Sequence, residues 1–179
     1  MLAAMRRKYN SSMVLGSVRM LRRAYPDAEF SADIIVGFPG ESEEDFAATL
    51  DIAEKAGLYH IHIFPYSDRR GTEAASMKDK IPAEVKNERF DRLNALAEKL
   101  AEKRYGEYIA GKRVLNVLFE EKNGEYYVGH AQNMLEVRAA SEEDVTSGVF
   151  DCIPEKYLGG SVLCRIVRPG AHDERKAKK

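Results

Sequence analysis

The sequence predicts an α/β fold: part of a (β/α) barrel, made of its C-terminal strands and helices, followed by a small all-β barrel. In the first part, two short apolar segments at 29–36 and 58–64 flank a helical segment, and such strand–helix–strand units nearly always join parallel strands by a right-handed crossover. After Gly111 the helical spacing gives way to short segments separated by polar breaks. The predicted divisions are a first domain at 1–110, a second at 111–168 and a disordered charged tail at 169–179.

The composition is that of an ordinary globular protein. The chain has 179 residues, of which 44% are hydrophobic and 32% charged, and its net charge of −1 does not single out a polyanionic partner. It contains no apolar run of membrane-spanning length, and no long apolar stretch follows the charges at its N-terminus. We therefore expect no signal peptide, a cytoplasmic protein and no membrane partner. Its two cysteines, Cys152 and Cys164, are too few and too far apart for a cluster or zinc motif, and we expect both to be buried and reduced.

Helical spacing marks the first and last segments of the first domain. Residues 3–24 have partial helical spacing with a break near Asn10, after which Ser11 or Ser12 is expected to cap a second helix. Residues 82–109 form a long helix with an apolar stripe.

The β domain is predicted from a run of short strands with turn residues between them. Its size, about sixty residues, is that of a simple barrel such as an OB-like fold. The expected strands are 113–120, 125–130, 134–139 and 160–167.

The turns that follow the two parallel strands carry residues that are suited to binding a ligand. Gly37-Phe-Pro-Gly40 allows a sharp turn before a helix that begins at Ser42, and Pro65-Tyr-Ser67 follows the second strand. The carboxyl ends of parallel strands meet at one edge of a sheet, which is the face that carries active sites in α/β barrels. This pattern indicates a ligand pocket, although the same turns also serve packing in many proteins.

Three motifs, in matching order and spacing, resemble those of the radical SAM tRNA methylthiotransferases, which use S-adenosylmethionine (SAM). Asp33-Ile-Ile-Val-Gly-Phe-Pro-Gly-Glu41 resembles the signature of strand five in that family. His62-Ile-Phe-Pro-Tyr-Ser67, followed by Arg69, resembles the motif of strand six, and Met5-Arg-Arg-Lys-Tyr9 resembles the helix after strand four. The second and third motifs look most like the threonylcarbamoyladenosine branch. The β domain lies where this family carries its RNA-binding TRAM domain.

This resemblance implies a reaction that the chain does not contain in full. The family adds a methylthio group to a modified adenosine beside the tRNA anticodon, using SAM and [4Fe–4S] clusters held by cysteines. The chain has no Cys-x-x-x-Cys-x-x-Cys motif, so we expect no cluster and no activity in the chain alone. The implied partners are tRNA and the N-terminal part of a parent enzyme.

The resemblance also assigns candidate SAM-binding residues. The end of each parallel strand and the turn after it are called a strand exit. The first strand exit contributes Ile35, Val36 and Gly37 near the adenine of SAM and Phe38 and Pro39 in the turn. Each of these positions also has a purely structural role. The hydroxyls of Tyr66 and Ser67 face the cofactor or the modified base unless they only cap the loop, and Arg69 reaches a carboxylate or phosphate unless it is only a solvated surface residue. The full predicted set is Ile35, Val36, Gly37, Phe38, Pro39, Tyr66, Ser67 and Arg69.

Two further groups of residues have side chains that are suited to binding. His60 and His62 lie on one face of a strand but lack a third metal ligand, so packing is the expected role. In the β domain, basic and aromatic residues suit phosphate contacts and base stacking, although ordinary barrel surface has the same composition. The RNA-binding candidates are Lys112, Arg113, Tyr127, His130, Asn133 and Arg138.

Two alternatives to a part of an enzyme stay open at this point. The chain could act alone as an RNA-binding module, or it could be an inert remnant. Salt-sensitive binding of tRNA separates the module from the remnant.

Overall fold

The computed structural model describes residues 1–26 and 28–169, and the predicted tail lies almost entirely outside them. The chain divides into two compact units, Met1–Ala101 (the first unit) and Glu102–Lys179 (the second unit). The division falls inside the long helix, ahead of the boundary predicted at residue 110. The α/β class is confirmed, and the second unit contains a five-stranded sheet.

The first unit alternates helices and strands. Its elements are α1 (Ser11–Ala24), β1 (Ser31–Val36), α2 (Glu43–Ala56), β2 (His60–Pro65), the short α3 (Glu73–Ser76) and the first part of α4 (Ala83–Ala110). β1 and β2 pair in parallel, as the strand–helix–strand pattern predicted, from Ser31 opposite His60 to Val36 opposite Pro65.

One face of the β1–β2 sheet is buried and the other is exposed. Ile34 and Ile61 pack with Val36, Phe46 and Leu93 on the buried side, because alternate residues of a strand point to the same face. On the other face Ile35 is 37% exposed and Phe64 is 49% exposed. The exposed face is therefore partly apolar, which is unusual for a sheet in contact with water.

The start of α1 differs from the prediction. The helix begins at Ser11 rather than at residue 3, and Asn10 is its N-cap, with the Asn10 side chain accepting a hydrogen bond from the backbone N–H of Met13. The prediction of Ser11 or Ser12 as the cap was wrong, because the extended backbone at Asn10 already places its side-chain oxygen over the first turn.

The boundaries of α2 agree with the sequence pattern. Ser42 and Asp45 form a complete capping box, in which each side chain accepts a hydrogen bond from the other residue's backbone N–H. Gly57 ends the helix with a positive φ of 57°.

In its described residues, the second unit contains the end of α4 and five strands. These are β3 (Leu115–Asn123), β4 (Tyr126–Ala131), β5 (Glu136–Ala139), β6 (Val149–Tyr157) and β7 (Ser161–Pro169). They pair in the order β3-β4-β5-β7-β6, and β6 also pairs with β3, so the sheet closes on itself. The core of this unit is made of inward-pointing side chains that include Val117, Phe119, Val137 and Val162.

The sequence prediction missed β6. Pro154 lies within this strand, where it cannot donate a ladder hydrogen bond, and the pairing of β6 with β7 shifts register between Pro154 and Lys156. Within the described residues, no helix has the length and apolar character needed to cross a bilayer.

Candidate functional site

A cleft of about 440 Å³ lies at the carboxyl ends of β1 and β2. This volume is in the range of sites for small molecules and cofactors. Four of the predicted cofactor-binding residues line it together, and they are Ile35, Tyr66, Ser67 and Arg69. Arg7, Asp33 and Phe64 contribute to the same lining.

The other four predicted residues, Val36, Gly37, Phe38 and Pro39, are buried behind the cleft. Gly37 has a φ of +71°, and the Phe38 ring packs edge-on against Tyr66 with 5.3 Å between centroids. The backbone N–H of Tyr66 donates to the carbonyl of Val36 over 2.8 Å. These residues therefore shape the two strand exits from behind.

Three residues that were not among the predicted site residues hold these exits. Glu41 and Arg89 form a buried ion pair at 2.6 Å, and the Glu41 carboxylate also accepts from the backbone N–H of Gly37 over 2.7 Å. Lys86 donates from Nζ to the carbonyl of Tyr66 over 3.1 Å. Glu41 stands in the first motif, but Lys86 and Arg89 follow far along the chain with no local signal of their role.

The Tyr66 hydroxyl forms a hydrogen bond with a neighbouring carboxylate. It donates to Asp68 over 3.0 Å, and Lys80 forms an ion pair with the same carboxylate. Hydrogen bonds from Lys80 and Tyr66 lower the pKa of Asp68. Desolvation and the hydrogen bond to Asp68 raise the pKa of Tyr66, so this hydroxyl stays protonated near neutral pH.

Two guanidinium groups at the cleft are available to an anion. No ion pair within the described part of the chain engages Arg7 or Arg69, whereas the adjacent Arg6 pairs with Glu73. A free arginine is suited to binding a carboxylate or a phosphate, because its guanidinium N–H groups form a fixed fork that can donate two parallel hydrogen bonds. The cleft therefore has a polar, cationic side and an apolar side.

His60 and His62 lie on the exposed face of β2 with 4.4 Å between ring centroids. Burial, followed by the neighbouring His62, lowers the pKa of His60. Among the described residues there is no group of three or more potential metal ligands, so these two side chains have only each other as candidate ligands.

Three of the RNA-binding candidates lie close to the end of α4. Lys112 and Arg113 are exposed, and the Arg113 guanidinium lies 5.5 Å from the centre of the Tyr108 ring. Asn133 donates from Nδ2 to the Tyr108 hydroxyl over 2.8 Å. Arg113 and Asn133 therefore meet on one aromatic ring.

The other three candidates are dispersed. His130 and Arg138 lie on the outer side of β4 and β5, each beside an acid: His130 Nδ1 is 3.0 Å from Glu120 and Arg138 is 3.2 Å from Glu136. Tyr127 is only 4% exposed, so its ring points into the unit and is not presented to a base.

The two cysteines do not fit an iron–sulfur cluster, whose ligands are thiolates. Cys152 and Cys164 are buried free thiols on neighbouring strands. Burial raises the pKa of Cys152 to about 12 and also raises that of Cys164, which disfavours the thiolate of both.

Comparison with known proteins gives the same family as the strand-exit motifs. No family model matches the chain. The chain is 50% identical over 172 residues to the tRNA-2-methylthio-N(6)-dimethylallyladenosine synthase of Bifidobacterium adolescentis, which covers 96% of the chain and 35% of that protein. It is 45% identical over 123 residues to the synthase of the same name from Thermobifida fusca, covering 69% of the chain and 24% of that protein.

A relative from the other branch also aligns. The threonylcarbamoyladenosine tRNA methylthiotransferase of Bacillus subtilis is 38% identical over 149 residues, which covers 80% of the chain and 33% of that protein. The chain thus spans between about a quarter and about a third of the length of these relatives. Over the aligned residues, the chain is a member of the tRNA methylthiotransferase family and corresponds to part of such a protein.

Proposed function

We propose that this chain is part of an enzyme that adds a methylthio group to an N6-modified adenosine next to the tRNA anticodon. The observation that carries the proposal is the shared lining of one cleft by Ile35, Tyr66, Ser67 and Arg69, in a chain homologous to methylthiotransferases. In this proposal β1, β2 and their helices belong to a (β/α) barrel, and the second unit is the TRAM-like domain.

The cleft suits SAM in both size and character. Its apolar side, with Ile35 and Phe64, accommodates an adenine ring, and its hydroxyls and free arginines suit the polar parts of the molecule. When bound, one SAM beside a reduced cluster would supply the radical that activates the adenosine ring carbon, an auxiliary cluster would supply the sulfur, and a second SAM would supply the methyl group. The role of the present residues is to bind and orient SAM.

The cluster ligands must come from outside this chain, because its two thiols do not fit a cluster. We therefore propose that the N-terminal part of a parent enzyme is the partner that supplies the [4Fe–4S] clusters, and that the chain alone is inactive. The cytoplasmic location expected from the sequence stays a prediction.

The identity of the N6 substituent is a finer question. The motifs favour threonylcarbamoyladenosine, as in the Bacillus subtilis relative, whereas the relatives named for dimethylallyladenosine have higher identity, 45% and 50% against 38%. The two substituents differ in charge, because only the threonylcarbamoyl group carries a carboxylate.

Disruption of the gene in its source organism tests the proposal. Nucleosides from total tRNA are separated by liquid chromatography, and their masses are measured by mass spectrometry. We expect the 2-methylthio form of one adenosine to disappear and its unmethylthiolated precursor to accumulate, and the precursor's mass identifies the N6 substituent. An unchanged nucleoside profile would contradict the proposal.

The exposed side chains of Lys112 and Arg113 favour a second candidate, an RNA-binding module that acts without the rest of the enzyme. This candidate places tRNA on the second unit, near Lys112 and Arg113. It predicts tRNA binding by the chain together with an unchanged nucleoside profile after disruption.

A further inference from the structure

Helix α4 presents two cations to the two strand exits that form the cleft. Lys86 and Arg89 are three residues apart, which places them on the same face of a helix. Arg89 binds the exit of β1, and Lys86 binds the exit of β2. One turn of one helix is therefore connected to both sides of the site.

The contact of Arg89 with the first exit is buried and specific. The side chains of Arg89 and Glu41 are 6% and 3% exposed. Nη1 of Arg89 donates to the Glu41 carboxylate over 2.6 Å and to the Glu41 carbonyl over 3.0 Å, while the carboxylate accepts from the N–H of Gly37. The turn from residue 37 to residue 41 is thus closed around one carboxylate, which Arg89 holds in place.

Stability alone is a weak explanation for this pair. Buried ion pairs lose so much hydration that well-packed apolar residues are often as stable or more stable. Nε of Arg89 is also buried without a hydrogen-bond partner in the described part of the chain, which is a further cost. The arrangement is therefore better explained by the geometry that it imposes on the turn.

Lys86 connects the second exit to the first. Its Nζ donates to the carbonyl of Tyr66, and its aliphatic stem fills the space beside Gly37, where an added Cβ would lie 2.1 Å from Cγ of Lys86. Tyr66 in turn donates from its backbone N–H to the carbonyl of Val36. A displacement of either exit is consequently transmitted to the other.

We propose that Arg89 and Lys86 are positioning residues for the cleft, which fix the turn at 37–41 and the backbone at Tyr66 and thereby set the site that SAM occupies. The identity of the ligand rests on the proposed function. The positioning of the two exits rests on the contacts alone.

Hydrogen exchange tests the positioning in the purified chain. Arg89→Met should leave Glu41 without its cation, and the Gly37 amide should exchange about tenfold faster or more. Lys86→Met retains the stem but loses the donor, and should speed exchange mainly at residues 66–68. Arg92→Met is the matched control, because Arg92 lies on the same helix, pairs with Glu43 and Glu88, and does not contact either exit.

The role in the reaction is tested by placing the same variants in the source gene. Misplacement by about 1 Å can lower rates roughly 100-fold, so we expect Arg89→Met to lower tRNA methylthiolation by about tenfold or more. Raising cellular SAM by overproducing SAM synthetase should restore part of this loss, since a defect in substrate binding responds to substrate and a folding defect does not. Arg89→Lys, which keeps the cation, should retain more modification than Arg89→Met.

The outcomes separate the two proposals. Unchanged exchange at Gly37 in Arg89→Met would overturn the positioning of the exits. Faster exchange with full tRNA modification would overturn the role of that positioning in setting the SAM site. Arg89→Met could also lose modification that extra SAM does not restore and have a melting temperature well below that of Arg92→Met. This result would show that Arg89 has only a structural role. Normal tRNA in the disrupted strain would instead contradict the proposed function, and the exchange results would still decide whether the two residues position the exits.

Discussion

Gly129 illustrates how tightly single positions are specified in the second unit. It lies opposite Phe119 in the β3–β4 ladder. A Cβ at this position would lie 2.0 Å from the Leu118 carbonyl oxygen and 2.6 Å from Cα of Phe119, so backbone would have to move to admit any side chain.

We predict that Gly129→Ala destabilises the second unit by about 3 kcal/mol, because overpacking against backbone cannot be relieved by a rotamer change. Gly106→Ala is the control in the same unit. Gly106 lies in α4 with open space around its Cβ position, and this change should stabilise by about 0.5–1 kcal/mol. Urea unfolding measures both, and equal effects of the two variants would contradict this account of Gly129.

The residues that line the cleft were predictable, whereas those that hold it were not. Tyr66, Ser67 and Arg69 follow a strand directly, so position in the chain indicates position in the site. Arg89 lies 48 residues after Glu41, and their contact exists only once α4 packs against the strand exits. A charged residue within an amphipathic helix gives no sign that it is buried.

At the scale of elements, α2 was predictable because its boundaries depend on local chemistry. Ser42 and Asp45 form the capping box that the sequence indicates, and Gly57 takes the left-handed conformation that ends the helix. β6 was not predictable in the same way. Its Pro154 argues locally against a strand, and pairing with β3 and β7 overrides that preference.

The cap of α2 should make stability depend on acid pH. Hydrogen bonds from the backbone and side chain of Ser42 lower the pKa of Asp45 from its ordinary value of 3.8. The unfolded chain therefore binds this proton more readily, so the contribution of Asp45 is complete above pH 3.8 and is lost as the pH falls through the lower pKa of the folded state.

We predict that Asp45→Asn is less stable than the wild type at pH 7 and that this difference shrinks as the pH is lowered below about 4. Asp51→Asn is a control on the same helix, since Asp51 is exposed and pairs with Lys55 at the surface. Urea midpoints followed by circular dichroism at several pH values measure the effect. A difference between wild type and Asp45→Asn that stays constant down to pH 2.5 would contradict it.

At the scale of the whole molecule, the sheet of the first unit has only two strands in the described residues, and one of its faces exposes apolar side chains. Such a sheet is marginal alone, and an exposed apolar face favours association.

We predict that the purified chain associates as its concentration rises and that Phe64→Ser reduces this association. Phe64 is 49% exposed on the open face of β2, whereas Leu118, 42% exposed in the second unit, provides the control Leu118→Ser. Sedimentation velocity over a range of concentrations measures the effect. A stable monomer at every concentration would contradict the expected role of the open face.

The second unit makes a separate prediction about RNA. If Lys112 and Arg113 contact phosphates, the chain should bind tRNA less tightly as salt increases, and Arg113→Ala should reduce the salt slope by about 1. Lys156→Ala removes an equal charge from an exposed site in β6 and should leave the slope unchanged. Gel-shift titration at two salt concentrations measures this, and binding that is absent or insensitive to salt would exclude the proposed surface.

The most direct test of the central claim is methylthiolation by the native protein that carries these residues. The protein is purified from its source organism through a tag on this gene, and it is supplied with a reductant, SAM and tRNA from the disrupted strain. The account predicts that mass spectrometry of the nucleosides shows a methylthio group on one adenosine only when SAM is present. The control is that the tagged gene restores normal tRNA in the disrupted strain. If it does so and the protein purified from it still does not methylthiolate tRNA, the central claim is contradicted.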